Sequence, residues 1–341
     1  MQDREAATSD GPRARGPRRR HRAAGVVADA DAVFEGWYPV GTGESVQPGQ
    51  VIGVDFADLR VAVFRDEHGQ LGAIDAQCCH LGADLALGRV VGADLRCPFH
   101  HWSFDARGCC TDIPATDRIP AAARQESFPV RDELGLIWTY RGRSPGALPF
   151  LRGPNSAAAH RYKTGRIQVF EQPPWLVVGN AIDVQHITTL HGMRLLEDPS
   201  VRFFDDRVEF DIRSTLPVVG EVQQFSTIFG VNAFTMTGGI AGLDLATVAA
   251  GRPIGGGRSE FFFVAAVEET TDPALDERLL ALGLAGIEGF LLQDLPVLNT
   301  LRFRLGVTVA ADRPLLRYFD YVARSPRASD DNDAQRLEVE S

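Results

Sequence analysis

Short stretches in the first third of the chain alternate between apolar and polar residues, and turn-forming residues separate them. Such alternation over about four to eight residues is typical of half-buried β-strands. The predicted strands are Val51–Phe56, Leu59–Phe64, Leu71–Asp75, Val90–Arg96 and Leu134–Tyr140. Asp66-Glu67-His68-Gly69 supplies a turn between two of them, and ordered structure is expected to begin at Phe34. This part of the chain is therefore predicted to be a small antiparallel β domain.

The second half of the chain combines longer strands with two helical patterns. The strand patterns occur at Val208–Ile212, Gln223–Phe229 and Glu260–Val267. Helical periodicity favours helices at Leu176–Leu190 and Pro273–Leu301, and Asp272 followed by Pro273 is typical of a helix start. This combination predicts an α+β fold in which helices cover one face of an antiparallel sheet.

Length and charge narrow the class of protein. The chain has 341 residues, enough for about two domains, and a formal net charge of −10, which argues against nucleic acid as a partner. The first 22 residues differ, because seven Arg against three acids give them a net charge of +4. No apolar run of membrane-spanning length is expected, so the sequence predicts no membrane partner. The five cysteines are too few for a disulfide framework and indicate the cytoplasm.

These patterns divide the chain into five predicted segments. Residues 1–33 form a basic, polar leader without periodicity, which is expected to be disordered. The β domain follows over residues 34–143, and a Pro- and Gly-containing linker over residues 144–160. The second domain is assigned residues 161–325, and the polar, acidic residues 326–341 are expected to form a disordered tail.

Two cysteine–histidine pairs carry the most specific chemistry in the sequence. They are Cys78-Cys79-His80 and Cys97-Pro98-Phe99-His100, with sixteen residues between them. Two thiolates and two imidazoles form the ligand set of a Rieske [2Fe–2S] centre, in which Cys residues hold one iron and His residues the other. Structural zinc is the alternative, but zinc sites usually take their Cys and His ligands from separate elements. The predicted cluster ligands are Cys78, His80, Cys97 and His100.

The residues around these pairs resemble a known family. The run from Cys78 to Pro114, CCHLGADLALGRVVGADLRCPFHHWSFDARGCCTDIP, is similar to the cluster domain of the Rieske non-haem iron oxygenases. Together with CPFHHW, the segments NAIDVQHITTLH and QDLPVLN are most similar to the aminopyrrolnitrin oxygenase and 3-ketosteroid 9α-hydroxylase side of that family. The resemblance covers residues 34–323 and implies that a helix-grip, START-like catalytic domain with an antiparallel sheet follows the β domain.

A second candidate metal site lies in the first predicted helix. Asn180, Asp183 and His186 are spaced three apart, which places them on one face of a helix. His191 lies five residues beyond His186, so the helix is expected to end or bulge near Thr188–Thr189 for both imidazoles to reach one ion. Two His and one carboxylate form the facial triad of non-haem Fe(II) oxygenases. By the resemblance, His186 and His191 are iron ligands and Asn180 lies beside them.

The third iron ligand is expected to be a carboxylate far downstream. Asp294 is predicted, because the last ligand of the family lies in a similar late-helix context, and Glu288 is the alternative carboxylate. The resemblance gives Asp183 a separate role. It would be a bridge, hydrogen-bonded to His186 on one side and to a cluster histidine, His100, of a neighbouring subunit on the other.

The resemblance implies an oxygenase component that uses O2 and externally supplied electrons to hydroxylate, N-oxygenate, demethylate or desaturate a small molecule. The sequence lacks a complete dinucleotide-binding loop, so a separate NAD(P)H-dependent reductase, a ferredoxin or both would supply the electrons. The stretches Phe225–Met236 and Phe261–Phe263 favour an apolar, cyclic substrate. Electron transfer between subunits implies a head-to-tail homotrimer. The alternative function is a Rieske electron-transfer protein without its own oxygenase chemistry.

Overall fold

The computed structural model describes residues 29–154, 156–216, 220–240 and 243–328. The predicted leader up to residue 28 and the predicted tail from residue 329 lie outside these residues. The described N-terminal part contains ten strands. They are β1 (Gly36–Thr42), β2 (Gln50–Asp55), β3 (Arg60–Arg65), β4 (Leu71–Asp75), β5 (Arg89–Val91), β6 (Asp94–Arg96), β7 (Ser103–Phe104), β8 (Cys110–Asp112), β9 (Val130–Glu133) and β10 (Leu136–Arg141).

These strands form three small antiparallel sheets, in the orders β1-β10-β9, β2-β3-β4 and β5-β6-β7-β8. The predicted hairpin is confirmed, with β4 over the predicted residues Leu71–Asp75 and a turn at Gly69, where φ is +90°. The predicted strand Val90–Arg96 is wrong as a single element. Gly92 adopts φ +62°, which only glycine tolerates at low cost, and the chain turns there between β5 and β6.

In the second part of the chain, the described residues form one large sheet and four α-helices. Its elements are β11 (His160–Thr164), β12 (Gln168–Phe170), α1 (Pro174–Gly179), α2 (Val184–Thr189), β13 (Arg194–Leu195), β14 (Ser200–Phe203), β15 (Arg207–Leu216), β16 (Gly220–Phe229), β17 (Ala233–Ile240), β18 (Leu243–Gly255), β19 (Arg258–Glu268), α3 (Pro273–Leu298) and α4 (Arg313–Val322). The nine-stranded sheet runs β11-β19-β18-β17-β16-β15-β13, with β12 paired to β19 and β14 paired to β15. The predicted α+β class is confirmed.

Strand β19 shows how the large sheet uses its two faces. Side chains alternate along a strand, so Phe261 and Phe263 pack with the helices, whereas Phe262 and Val264 pack with the N-terminal domain. We call these the helix face and the domain face of the sheet. The apolar Phe261–Phe263 run therefore divides between the two faces, with Phe262 on the opposite face from its neighbours.

Buried polar contacts join the N-terminal domain to the domain face. The Asn232 side-chain amide is 1% exposed and donates to the carbonyl oxygens of Trp37 at 2.9 Å and Gly251 at 3.1 Å. The Arg252 guanidinium donates to the carbonyl oxygens of Asp55 at 3.1 Å and Pro39 at 3.2 Å. These bonds satisfy carbonyl groups that the packing of the two domains removes from water.

The two ends of the described chain pair with each other. Glu35 N–H donates to the Pro326 carbonyl at 2.8 Å, and Ala328 N–H donates to the Val33 carbonyl at 2.9 Å. Val33 is buried in the N-terminal core. These contacts involve residues on both sides of the predicted segment boundaries at 33/34 and 325/326. This pairing joins distant parts of the chain, which local composition does not show.

Helix α3 corrects the expectation that no apolar run of membrane-spanning length is present. It has 26 residues and, by length and composition, could cross a membrane. Asp276 and Asp294 lie on its packed side, five helical turns apart at 3.6 residues per turn. Asp276 is fully buried and the helix packs along β19, so we interpret α3 as a helix of the sheet domain.

Replacing Asn232 with alanine is expected to weaken the contact between the domains. The Asn232→Ala variant leaves two buried carbonyls without their amide donor, which costs about 1–3 kcal/mol of unfolding free energy. Chemical denaturation measures this difference. Gln70→Ala, at an exposed position in the β3–β4 turn, is the control and is expected to change the value by less than about 0.5 kcal/mol. Equal stabilities for the two variants would contradict the assignment.

Candidate metal centres

The first Cys/His loop is a tight turn closed by backbone hydrogen bonds. Cys78 N–H donates to the Ala83 carbonyl at 2.9 Å, and Gly82 N–H donates to the Cys78 carbonyl at 2.8 Å. Gly82 adopts φ +73°, a conformation that favours glycine, so the turn can close within a few residues. The Gln125 side chain braces the loop, because its Oε1 accepts from Cys79 N–H at 2.7 Å and its Nε2 donates to two carbonyls before the loop.

The second Cys/His loop has the same construction. Cys97 N–H donates to the Trp102 carbonyl at 2.8 Å, which closes a turn through Pro98–His101. His101 adopts φ +61°, an uncommon conformation for a residue other than glycine. The turn directs His100 outward while Cys97 stays in the core of the domain.

The two loops bring all four predicted cluster ligands together. Cys78 and Cys97 are 3% and 1% exposed, whereas His80 and His100 are exposed, with ring centroids 4.7 Å apart. The Trp102 ring stacks on His80 at 4.4 Å and an interplanar angle of 7°, which fixes the orientation of that imidazole. Two inner thiols beneath two outer imidazoles fit the Cys2His2 ligand set of a Rieske [2Fe–2S] cluster.

Among the described residues, no positively charged side chain is one of the main influences on the pKa of the Cys78 thiol. Burial first, and the neighbouring Cys97 thiol after it, raise the pKa of Cys78 to about 12. Iron binds the deprotonated thiol and supplies positive charge beside it. The electrostatics therefore fit a metal cluster better than a pair of reactive free cysteines.

The predicted helix Leu176–Leu190 is interrupted, and the interruption positions the second site. Helix α1 ends at Gly179, a 3-10 turn covers Asn180–Ile182, and Asp183 has extended backbone with ψ 98°. The Asp183 carboxylate accepts from the N–H groups of Gln185 and His186 and so caps the start of α2. A capping Asp accepts hydrogen bonds from N–H groups that a continuous helix would bond to backbone carbonyls. The predicted helix is therefore broken at Asp183, and α2 begins there as a separate helix.

The end of α2 returns His191 to the same site. The helix ends at Thr189, as the spacing of the two histidines predicts, and Gly192 follows with φ +67°. Met193 N–H then donates to the Ile187 carbonyl at 3.2 Å, which turns the chain back across the helix end. The rings of His186 and His191 lie 4.5 Å apart as a result.

Helix α3 supplies a carboxylate to both imidazoles. Asp294 Oδ1 lies 2.9 Å from His186 Nε2 and 3.2 Å from His191 Nε2. The ligand atoms of these three residues all lie within 4.8 Å of one another, and their side chains are 6–15% exposed. Glu288, the alternative carboxylate, is exposed. The arrangement fits two His and one carboxylate around a single metal ion with other positions open.

The three residues influence one another's protonation. Burial lowers the pKa of His186, but the hydrogen bond and charge of Asp294 outweigh burial and raise it above its ordinary value of 6.5. Burial raises the pKa of Asp294, and the two histidines outweigh it, so the net shift is downward. Without metal, this pair stabilises the fold above the Asp294 pKa, and the stabilisation is lost as the pH rises through the His186 pKa.

Asn180 and Asp183 lie beside the site, but not in the predicted arrangement. His186 Nδ1 lies 3.0 Å from the Asn180 carbonyl oxygen, and Asn180 Nδ2 lies 3.2 Å from His186 Nε2. The expected hydrogen bond between Asp183 and the His186 ring is wrong, because the Asn180 carbonyl occupies Nδ1 and Asp183 bonds to backbone N–H. Both residues line a cavity of about 230 Å³ with mostly apolar walls between α1 and α4.

Sequence reasoning missed three residues that hold the ligands in place. Gln125 braces the first Cys/His loop, Phe290 packs edge-on against His191 at 4.6 Å, and Gln293 Oε1 lies 3.4 Å from His191 Nδ1. Their contacts depend on how distant elements pack. The one available sequence signal was that Gln293 directly precedes the predicted ligand Asp294.

Proton competition is expected to weaken metal binding at the His186 site in mild acid. A metal needs His186 neutral, and the pKa of His186 is raised, so the competition begins above pH 6.5. Below that pKa the affinity for Co²⁺ is expected to fall about tenfold per pH unit for each proton displaced. Absorbance titration with Co²⁺ between pH 6 and 8.5 measures it, and an affinity that stays constant over this range would contradict the assignment.

Comparisons with known proteins agree with these features. The sequence model of the Rieske [2Fe-2S] domain matches residues 36–129. Cholesterol 7-desaturase nvd of Bombyx mori is 33% identical over 174 residues, which is 49% of this chain and 38% of that protein. The oxygenase component of 3-ketosteroid-9-alpha-monooxygenase from Rhodococcus rhodochrous is 28% identical over 162 residues, or 46% of this chain and 42% of that protein. The chain thus spans about two fifths of these relatives.

Solved structures match over a larger part of the chain. Dicamba monooxygenase bound to dicamba superposes with a TM-score of 0.69 at 19% identity, covering 92% of this chain and 99% of the other. NdmA of Pseudomonas putida CBB5 with caffeine superposes with a TM-score of 0.67 at 21% identity, covering 84% and 89%. Residues 36–129 therefore form a Rieske [2Fe–2S] domain, and the chain as a whole has the fold of the Rieske oxygenases.

Proposed function

We propose that this chain is the oxygenase component of a Rieske-type monooxygenase that oxidises an apolar, cyclic small molecule with O2 and externally supplied electrons. The observation that carries the proposal is the convergence of His186, His191 and Asp294 in the same chain as the Rieske domain. An electron carrier needs the cluster alone, so the second metal site favours an oxygenase over a Rieske electron-transfer protein.

Each proposed ligand set has a distinct function. Cys78, His80, Cys97 and His100 would hold a [2Fe–2S] cluster, and His186, His191 and Asp294 would hold iron. The cluster supplies single electrons and the mononuclear iron supplies the chemistry of oxygen activation. The chain itself fixes both imidazoles through Nδ1 contacts, points both Nε2 atoms toward Asp294, and keeps the site largely out of water beneath α3.

The sheet supports electron transfer between copies of the chain. The histidines and Asp294 lie on the helix face, whereas the Rieske domain packs on the domain face. Within one chain, the sheet therefore separates the proposed iron site from the surface on which the Rieske domain packs. We propose a head-to-tail homotrimer in which a cluster of one copy donates to the iron site of the next.

Asp183 is our candidate for the contact between copies. It is half-buried at the rim of the cavity beside Asn180, and only its Oδ1 atom serves the helix cap. Its second oxygen can accept a hydrogen bond from an exposed cluster imidazole such as His100 of a neighbouring copy. Asn180 joins this position to the iron site through its contacts with His186.

Apolar aromatic residues on the helix face support an apolar substrate. Phe210 and Phe234 stack at 6.1 Å, Phe261 and Phe263 stack at 6.1 Å, and Phe290 lies against His191. Proteins similar to this chain are named for action on steroids, and solved relatives are bound to caffeine and dicamba, all of them cyclic molecules. We therefore place the substrate in this chemical class.

The proposal includes partners and a cellular location. Electrons would come from an NAD(P)H-dependent reductase, a ferredoxin or both, in keeping with relatives named as oxygenase components. All five cysteines are free, so we place the protein in the reducing cytoplasm.

Metal analysis tests the proposal directly. Anaerobically reconstituted protein is expected to contain about three irons and two sulfides per chain, from the two ligand sets that the structure brings together. The His186→Ala and Asp294→Asn variants are expected to lose one iron and O2-dependent turnover while keeping the visible spectrum of the cluster. Glu288→Gln is the control, since Glu288 is exposed, and it is expected to keep both. Two irons and two sulfides in the unmodified protein would favour the electron carrier instead.

Asp183→Asn is expected to slow electron transfer without removing either metal. Asparagine keeps the Oδ1 acceptor that caps α2 but loses the charge that faces the neighbouring cluster. The rate at which O2 reoxidises the dithionite-reduced cluster, measured by stopped-flow absorbance with a 3-ketosteroid present, is expected to fall about 10–100-fold.

The matched control is Asp272→Asn. Asp272 caps α3 by the same kind of hydrogen bonds, so its variant separates loss of a cap charge from loss of the electron path. A similar slowing in both variants, or an unchanged rate in Asp183→Asn, would count against the proposed relay.

A further inference from the structure

Each imidazole of the iron site must present one chosen nitrogen to the metal. A neutral imidazole carries hydrogen on one nitrogen and a lone pair on the other, and the partner of the first decides which is free. For His186 this partner is the Asn180 carbonyl, which only accepts, so Nδ1 carries the hydrogen and Nε2 is free toward Asp294. His191 needs an equivalent partner, because its Nε2 also faces Asp294.

Gln293 is placed to be that partner. Its Oε1 lies 3.4 Å from His191 Nδ1. A glutamine amide has a donor end and an acceptor end, so this contact alone does not fix which end faces the ring. The other end settles it, because Gln293 Nε2 donates to the Gly289 carbonyl one turn earlier on α3, at 3.2 Å. Exchanging the two ends would set oxygen against that carbonyl and an NH2 group against Nδ1–H.

We propose that Gln293 is a positioning residue that holds His191 as the Nδ1–H tautomer, with Nε2 directed at the metal. This inference rests on the proposed iron site. One turn of α3 then supplies the ligand Asp294, the tautomer-setting Gln293 and the ring of Phe290 that packs on His191. The His191 side chain is 6% exposed, whereas Gln293 lies at the exposed edge of the contact.

The size of the effect follows from the geometry. Partners of metal-ligating histidines typically change metal affinity 10–100-fold when they are removed. The Gln293 contact is longer than the 3.0 Å contact of Asn180 to His186, so the lower end of this range is expected. Gln293→Leu removes the acceptor at similar side-chain size, whereas Gln293→Glu keeps an oxygen that can accept from His191 Nδ1 but loses the donor to the Gly289 carbonyl.

The experiment measures metal affinity in cluster-loaded protein from which the mononuclear iron has been removed. Titration with Co²⁺, followed by its visible absorbance, is expected to show about tenfold weaker binding for Gln293→Leu. Gln293→Glu is expected to stay within about threefold of the unmodified protein, or to bind more tightly. Gln70→Leu repeats the substitution at an exposed position of the N-terminal domain and is expected to change nothing.

A second readout reports the tautomer itself. Nitrogen NMR of histidine-labelled protein with diamagnetic Zn²⁺ in the mononuclear site is expected to show His191 bound through Nε2 with hydrogen on Nδ1, and a mixture of Nε2-bound and Nδ1-bound forms in Gln293→Leu. Equal affinities for Gln293→Leu and the unmodified protein, or equal losses in Gln293→Leu and Gln293→Glu, would overturn the assignment. If the unmodified protein binds no Co²⁺ while the cluster is intact, the proposed iron site fails instead, which is a distinguishable result.

Discussion

The contact between His186 Nε2 and Asp294 Oδ1 joins residues 108 positions apart, and the catalytic half of the structure is arranged around it. It requires α3 to lie across β19 with Asp294 on its packed side, and it requires the chain to break at Asp183 so that α2 presents His186 there. His186 Nε2 and Asp294 Oδ1 already lie 2.9 Å apart in the structure. A metal ion can therefore replace a proton in a site that is already assembled.

The nine-stranded sheet gives the two halves of the molecule separate surfaces to pack against. Alternation along β19 sends Phe261 and Phe263 to the helices and Phe262 and Val264 to the N-terminal domain. Asn232 and Arg252 then anchor that domain through carbonyl groups of its own strands. The position of the cluster domain relative to the iron site thus follows from the two-residue period of the strands.

The sequence was sufficient where the determining contacts are local. The two Cys/His pairs lie within one stretch of the chain, and the end of α2 near Thr189 follows from the spacing of His186 and His191. The uninterrupted helix was wrong because apolar periodicity continues through Asp183, while the capping bonds of its carboxylate prevail locally. Strands β17 and β18 and helix α4 were not predicted.

Contacts made by amide side chains could not be predicted from the sequence. Gln125 and Gln293 are ordinary polar residues in their local context, and each becomes a brace only when another element packs beside it. The Asp183 contact was placed wrongly for a related reason, since the Asn180 carbonyl, freed by the end of α1, reaches the His186 ring first. Ligand types are set by local sequence, but the groups that orient them are set by tertiary packing.

The two candidate centres differ in exposure, and that difference bears on how they cooperate. The cluster imidazoles lie on the surface, where another protein can reach them, whereas the side chains of His191 and Asp294 are only 6% and 15% exposed. A surface cluster exchanges electrons readily, and a buried oxidising site keeps water away from its reaction. Within one chain, the sheet lies between the face that carries His186, His191 and Asp294 and the face on which the N-terminal domain packs. Under the proposed head-to-tail arrangement, the contact surface around Asp183 would therefore be as much a part of the reaction as the ligands themselves.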